Sequence, residues 1–290
     1  MNREEIKALI QLLDDPSEEV NLAVTRNLLD QGMEIVPDLE AAWEGTPDAD
    51  HQERLVNLIQ QIQFRSSLDL LREWVVGGAG DLLAGAFLIA RFQYPDLRME
   101  DLDKPLDKII RDVWLELNNN LTALEKIRIL NHIFYEVNGF RRNTTDFYSP
   151  RNSFINQVLE TRKGNPISLA VIYTVISQRL GLPVYGVNLP KNFILAYRDE
   201  LVSGEGFGVS SEDILFYINP FNRGDVLGRR EIEYFLKQQG IEPQPSHFVP
   251  CTNHDTIIRI LHNLVNAYRK SGYESKVVEF EAVLRAIQTP

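Results

Sequence analysis

The chain has 290 residues, 44% of them hydrophobic and 24% charged, the make-up of a globular protein with enough apolar surface for two or three domains. Its formal net charge of -11 argues against nucleic acid or an anionic membrane as the main partner, because phosphate binding needs a basic face. Cys251 is its single cysteine, which excludes an intrachain disulfide framework and fits a reducing compartment. Met1-Asn2-Arg3-Glu4-Glu5 has no apolar signal-like run, and the most apolar window, 74–90, is interrupted by Gly77-Gly78-Ala79-Gly80-Asp81. The expectation is a cytoplasmic protein without a membrane span.

Residues 1 to about 95 read as helical. Ile6, Leu9, Ile10 and Leu13 recur at helical spacing, Asp15-Pro16-Ser17 breaks and recaps the chain, and a second stripe from Val20 to Leu29 ends at Gly32. The run Leu-Leu-Asp-Asp-Pro-Ser between paired helices resembles a HEAT-like repeat. After the break at 44–50, Arg54 to Ile59 and Leu68 to Val75 give a further helix pair without that signature. Helices continue over 82–91, stop at Tyr94-Pro95 and resume over 99–115. Thr122-Ala123-Leu124-Glu125 is a capping box that opens a helix through Val137, ended by Asn138-Gly139.

The polar stretch 140–150 is predicted to be a loop that lines or closes a cleft. The plainer alternative is that Arg141, Asn143 and Arg151 satisfy buried backbone groups. After it comes a helix with both ends marked in the sequence. Asn165 suits the N-cap, Pro166 the first helical position and Gly181 the left-handed residue after the last turn, while Pro183 bars continuation. This helix is apolar all round and should be buried. Then the period changes: 184–189, 193–197 and 214–218 are short, β-branched and aromatic, separated by Pro190-Lys191-Asn192 and by a polar loop containing Ser203-Gly204-Glu205-Gly206. A buried helix followed by a small antiparallel sheet is an α+β core.

Gly164-Asn165-Pro166-Ile167-Ser168-Leu169-Ala170, the Leu180-Gly181-Leu182-Pro183 turn and the strand entries at Asn192-Phe193 and Asn219-Pro220 resemble the transglutaminase-like, papain-related core. With Gly139 to Asn143, Tyr148 to Ser153 and Gly186 to Pro190, they resemble its bacterial branch, whose members commonly carry a short tetratricopeptide-like tail. The resemblance implies a Cys at the start of the helix, a His at one strand entry and an Asp before a Pro. Here Pro166, or Ser168 after a two-residue slip, stands for the Cys; Asn192 stands for the His and Asn219 for the Asp. An amide cannot take a proton from a nucleophile near neutral pH, so these substitutions argue against the family's hydrolase or transferase activity. Arg141, Asn143, Tyr148, Arg151, Asn152, Arg162, Asn165 and Lys191 are the candidate cleft residues.

An amphipathic helix over 227–239, a Pro-rich linker over 243–250 and a last helix pair, 255–270 and 274–287, complete the chain. Leu264, Tyr268, Gly272, Val277 and Leu284 fall near tetratricopeptide positions, and one such repeat must dock on the core or a partner. Three parts result: 1–95, 96–242 and 243–290. Cys251 and His254 lack a second ligand pair, so no metal or cofactor is expected. The function expected is non-catalytic binding of a protein or peptide in the degenerate cleft, with the helical ends as further surfaces. A rival reading is a hydrolase or acyltransferase using Ser168, with His132 or His254 as base. A third is an anion sensor at the helix start using Arg162 and Lys163.

Overall fold

In the computed structural model, which describes residues 2–199 and 211–288, the chain divides into two units, Met1–Glu73 and Trp74–Pro290. The sequence reading divides it near 95 and 242 instead. The loop around Ser203–Gly206 lies outside the described residues.

The first unit holds helices α1 (Arg3–Gln11), α2 (Glu18–Gln31), α3 (Val36–Gly45) and most of α4 (Ala49–Val76). Asn2 and Ser17 cap the first two helices, and Gly32 takes the left-handed φ of +67° that ends the second. Leu28, Leu39, Leu55 and Ile62 are fully buried between them. The stretch read as a further helix pair is the single helix α4. No Gly or Pro interrupts 49–76, and Leu55, Leu58 and Ile62 keep one face buried along its first half.

In the second unit, α5 (Leu82–Arg91), α6 (Met99–Trp114) and α7 (Ala123–Asn131) come first. The Thr122 and Glu125 capping box opens α7, which runs on as a π-helical turn through Val137. The loop region contains a two-residue strand, β1 (Arg141–Arg142), paired in parallel with β2 (Lys163–Gly164) on either side of α8 (Ile155–Thr161). Next is α9 (Pro166–Arg179), buried on every face from Ile167 to Ser177. It packs on α5, α6 and α8 and on the antiparallel sheet β3 (Val184–Val187), β4 (Ile194–Arg198), β5 (Ile214–Asn219) and β6 (Asp225–Leu227). The α+β architecture is as expected. The last strand, β6, went unread because Asp225-Val226-Leu227 is too short and too exposed to show alternation.

The remaining helices are α10 (Arg229–Gln238), α11 (Asn253–Lys270) and α12 (Glu274–Gln288). The Pro-rich stretch before α11 is packed rather than loose. Phe248 is buried against Ile232 and Leu236, and its carbonyl accepts the Tyr217 hydroxyl at 2.8 Å. The α11–α12 pair docks on the core: Phe280 meets Phe92 edge-on with centroids 6.2 Å apart, Tyr268 donates to Gln93 at 2.9 Å, and Asn253 donates to the Ala79 carbonyl at 3.0 Å. That docking, and the all-round burial of α5, place 74–95 and the tail in one unit with the sheet. No helix among the described residues is long and apolar enough to cross a membrane.

Candidate functional site

Asn165 and Pro166 open α9 by satisfying its first turn from within. The Asn165 side chain accepts the Ser168 N–H at 2.9 Å, the Ser168 hydroxyl oxygen accepts the Asn165 N–H at 3.0 Å, and Pro166 has no N–H to leave unpaired. Asn165 Nδ2 donates to Ser153 at 2.8 Å. Ser168 Oγ sits only 2.6 Å from where a Cβ on Gly164 would lie, so glycine is needed there to seat the hydroxyl. Ser168 is 3% exposed, and its hydroxyl faces the cap. Neither proposed base is its hydrogen-bond partner: His132 is exposed, and His254 Nε2 bonds the Ile287 carbonyl at 2.9 Å. The Ser168 route therefore has neither His132 nor His254 in contact with its nucleophile.

Beside this helix start lies a cleft of about 550 Å³. One wall is the loop segment Phe147-Tyr148-Ser149. Asn165, Pro166 and Ile167 form its floor, the turn Lys191-Asn192-Phe193 closes one side, and Arg259, Asn263, Asn266, Ala267 and Lys270 of α11 form the other. Lys191 adopts a left-handed φ of +62° that turns the chain into β4. Asn192 Oδ1 accepts the Phe193 N–H at 2.9 Å, so this side chain is bound to its own turn.

Three cations border the cleft, and among the described residues no Asp or Glu lines it. Lys270 Nζ sits 3.4 Å over the Tyr148 ring, and Lys191 Nζ reaches Gln239 at 3.4 Å. Arg259 is half-buried and donates to the neutral Asn188 Oδ1 at 3.2 Å. Burial pushes its guanidinium pKa down.

The structure brings together Pro166, Asn165, Tyr148, Lys191 and Asn192, and leaves the other candidates outside the cleft. Asn219 caps the turn 220–222, accepting the N–H groups of Phe221 at 3.2 Å and Asn222 at 3.3 Å. Arg141 borders a separate hollow of about 330 Å³ with Arg142, Phe221 and Arg223. Asn143 donates to Asn152 at 2.8 Å, and Asn152 donates to the carbonyls of Asp146 at 2.7 Å and Phe147 at 3.1 Å, so this pair shapes the cleft loop from behind. Arg151 lies near the hydroxyl of Tyr94, whose pKa burial raises against the pull of that cation. Arg162 ends α8 with a φ of +59° and lays its guanidinium 4.8 Å over Phe140. Lys163 is held in β2. Neither lines the cleft, which leaves the anion-sensor reading without its cations.

Cys251 lies elsewhere, its N–H donating to the Gly186 carbonyl at 2.8 Å and its thiol 3.5 Å from the Thr256 hydroxyl. Burial raises its pKa, the reverse of an activated nucleophile. No cluster of three His, Cys, Asp or Glu among the described residues could hold a metal. The wall that sequence reasoning missed is α11. Arg259, Asn263, Asn266 and Lys270 are spaced by four, three and four, a polar stripe on a helix whose other faces are apolar. The stripe is legible in the sequence, but its spacing does not say which cleft it faces.

The profile of the transglutaminase-like superfamily matches residues 100–262. A UPF0162 protein of Xylella fastidiosa is 32% identical over 197 residues, covering 66% of this chain and 66% of that protein. One from Vibrio cholerae is 27% identical over 192 residues, covering 65% and 67%. Human F-box only protein 21 is 28% identical over 178 residues, 54% of this chain and 28% of that protein. The chain thus spans just under two thirds of the Xylella relative's length. No solved structure matches it.

Proposed function

This chain belongs to the transglutaminase-like superfamily, and we propose that within it the chain acts as a non-catalytic module that binds a protein or peptide segment in the cleft between α9, α11 and the turn at Asn192. The observation that carries the reading is the make-up of the cleft at the two positions where chemistry would occur. Pro166 offers no nucleophile, Asn192 offers an amide already bound to its own turn, and Asn219 is spent as a turn cap away from the cleft. Acyl transfer needs a nucleophile, a base and an orienting group within reach of one another, and these residues supply none of the three.

What remains is suited to recognition. Asn263 and Asn266 present side-chain amides, each with donors and an acceptor of the kind that pairs with a peptide backbone, while the Asn165 and Asn192 oxygens are taken up by the α9 cap and by their own turn. Phe147 and Tyr148 give it exposed aromatic surface, the usual source of affinity at such sites. Because α11 forms one wall, the terminal helix pair and the core act together. The helices of Met1–Glu73 enter the proposal as a further interaction surface.

The test is capture of the full chain on an immobilised array of random octapeptides, comparing wild type with Asn192→Trp, which fills the cleft at an incompletely buried position. Wild type is expected to be captured and the variant not. Capture unchanged by Asn192→Trp sinks the cleft as the binding surface. Turnover of a peptide amide that is lost in Ser168→Ala sinks the non-catalytic reading.

A further inference from the structure

We infer that the occupant of this cleft is an acidic peptide segment, with a carboxylate seated on Arg259. The inference rests on the binding reading above and adds the chemical class of the ligand.

Arg259 carries the argument. It is half-buried in the cleft wall, and among the described residues its hydrogen-bond partner is the neutral Asn188 oxygen. Most arginines in ion pairs here lie at the exposed surface, as Arg54, Arg65 and Arg98 do. A desolvated guanidinium without a carboxylate is held at a free-energy cost, and that cost makes it a strong site for an incoming anion. Its depressed pKa reports the same desolvation. A carboxylate can meet the planar guanidinium through two parallel hydrogen bonds, which a lysine cannot reproduce.

The surroundings point the same way. Lys191 and Lys270 flank the cleft, and no carboxylate lines it among the described residues, although the chain as a whole carries a net charge of -11. A concave site of one sign inside a molecule of the other sign concentrates the opposite charge locally. The same global charge repels an extended polyanion such as nucleic acid or an anionic bilayer, which must lie against far more surface than this cleft. A short acidic segment feels the local cations and escapes the rest. The side-chain amides along the cleft match its peptide groups, and Tyr148, half-exposed under Lys270, offers a face for an apolar neighbour of the acidic residue.

The experiment is the same array divided into three pools of random octapeptides, Asp/Glu-rich, Asn/Gln-rich and Lys/Arg-rich, probed with the full chain at low and high salt. Wild type should be captured by the acidic pool and released by salt. Arg259→Gln should lower capture about tenfold, the loss expected for one charge-assisted pair, and Arg259→Lys should recover only part of it. Lys270→Gln, at an exposed position that does not endanger folding, should weaken capture by a smaller factor. Equal capture by the acidic and amide pools, or capture indifferent to Arg259→Gln, overturns the acidic ligand. If that capture is still lost in Asn192→Trp, the cleft reading survives without it. Preference for the basic pool overturns the inference outright, and failure of all three pools to capture a folded chain overturns both readings. Displacement of bound peptide by short oligonucleotides or by phosphatidylserine vesicles as readily as by acidic peptide also overturns it.

Discussion

Asn165 and Ser168 satisfy each other across the first turn of α9, side chain to backbone in both directions, at 2.9 and 3.0 Å. The residue hardest to dismiss as a nucleophile is thus a structural cap. Replacing Ser168 by Ala should destabilise the second unit by about 1 kcal/mol, the usual worth of such a cap. Urea unfolding measures it, and peptide capture by the variant should match wild type. An unchanged midpoint would count against the cap.

Asn152 shapes the cleft from behind by bonding Asn143 and the carbonyls of Asp146 and Phe147. Asn152→Ala removes these part-buried hydrogen bonds, at a cost of about 0.5 to 1.5 kcal/mol for each. Amide exchange over 146–149 should quicken, and capture should weaken although Asn152 does not line the cleft. Exchange rates equal to wild type would refute its positioning role.

Gly224 has a φ of +73°, and a Cβ there would lie 2.0 Å from Asn131 Oδ1. Asn131 cannot simply swing aside, since it donates to the Gly224 carbonyl at 2.9 Å and accepts the buried Tyr173 hydroxyl at 2.8 Å. Gly224→Ala should destabilise by roughly 2 to 4 kcal/mol from backbone strain and overpacking together. Combining it with Asn131→Ala should give less than the sum of the two losses, because the clash is then gone.

Cys251 makes stability depend on alkaline pH. Burial raises the thiol pKa in the folded chain, so above the unfolded value of about 8.5 the native state holds a proton that the unfolded state has lost. Stability must then fall as pH rises, by at most about 1.4 kcal/mol per pH unit for one group. Wild type should lose stability from about pH 8.5, whereas Cys251→Ser should hold until about pH 10. There Tyr94, Tyr135, Tyr217 and Tyr268, all raised by burial, begin to act in both proteins. Parallel pH profiles would contradict this account.

Pro166→Cys in a Cys251→Ser background tests which residue stands at the thiol position. A cysteine there would line the cleft at the first turn of α9, where the partial positive charge of the helix end favours the thiolate. Its alkylation by iodoacetamide should follow a pKa below about 8.5. A slow reaction with a raised pKa would place residue 166 away from the cleft.

Local chemistry decided much of this protein without help from the fold. Asn165-Pro166 and Gly181 fixed both ends of the central helix, its unbroken apolar run fixed its burial, and the change of period after Pro183 announced the sheet, since caps and periodicity act within a few residues. The family resemblance set Pro166 or Ser168 at the position of a thiol, Asn192 at that of an imidazole and Asn219 at that of a carboxylate. The tertiary structure alone decided which of them share a cleft. Pro166 and Asn192 meet there with a polar stripe of α11 drawn from some seventy residues further on, while Asn219 serves a turn and Arg141 borders a different hollow. Arg259 acquired its meaning only from burial without a carboxylate. Convergence and desolvation are properties of contacts distant in the chain, and no spacing within one helix records them.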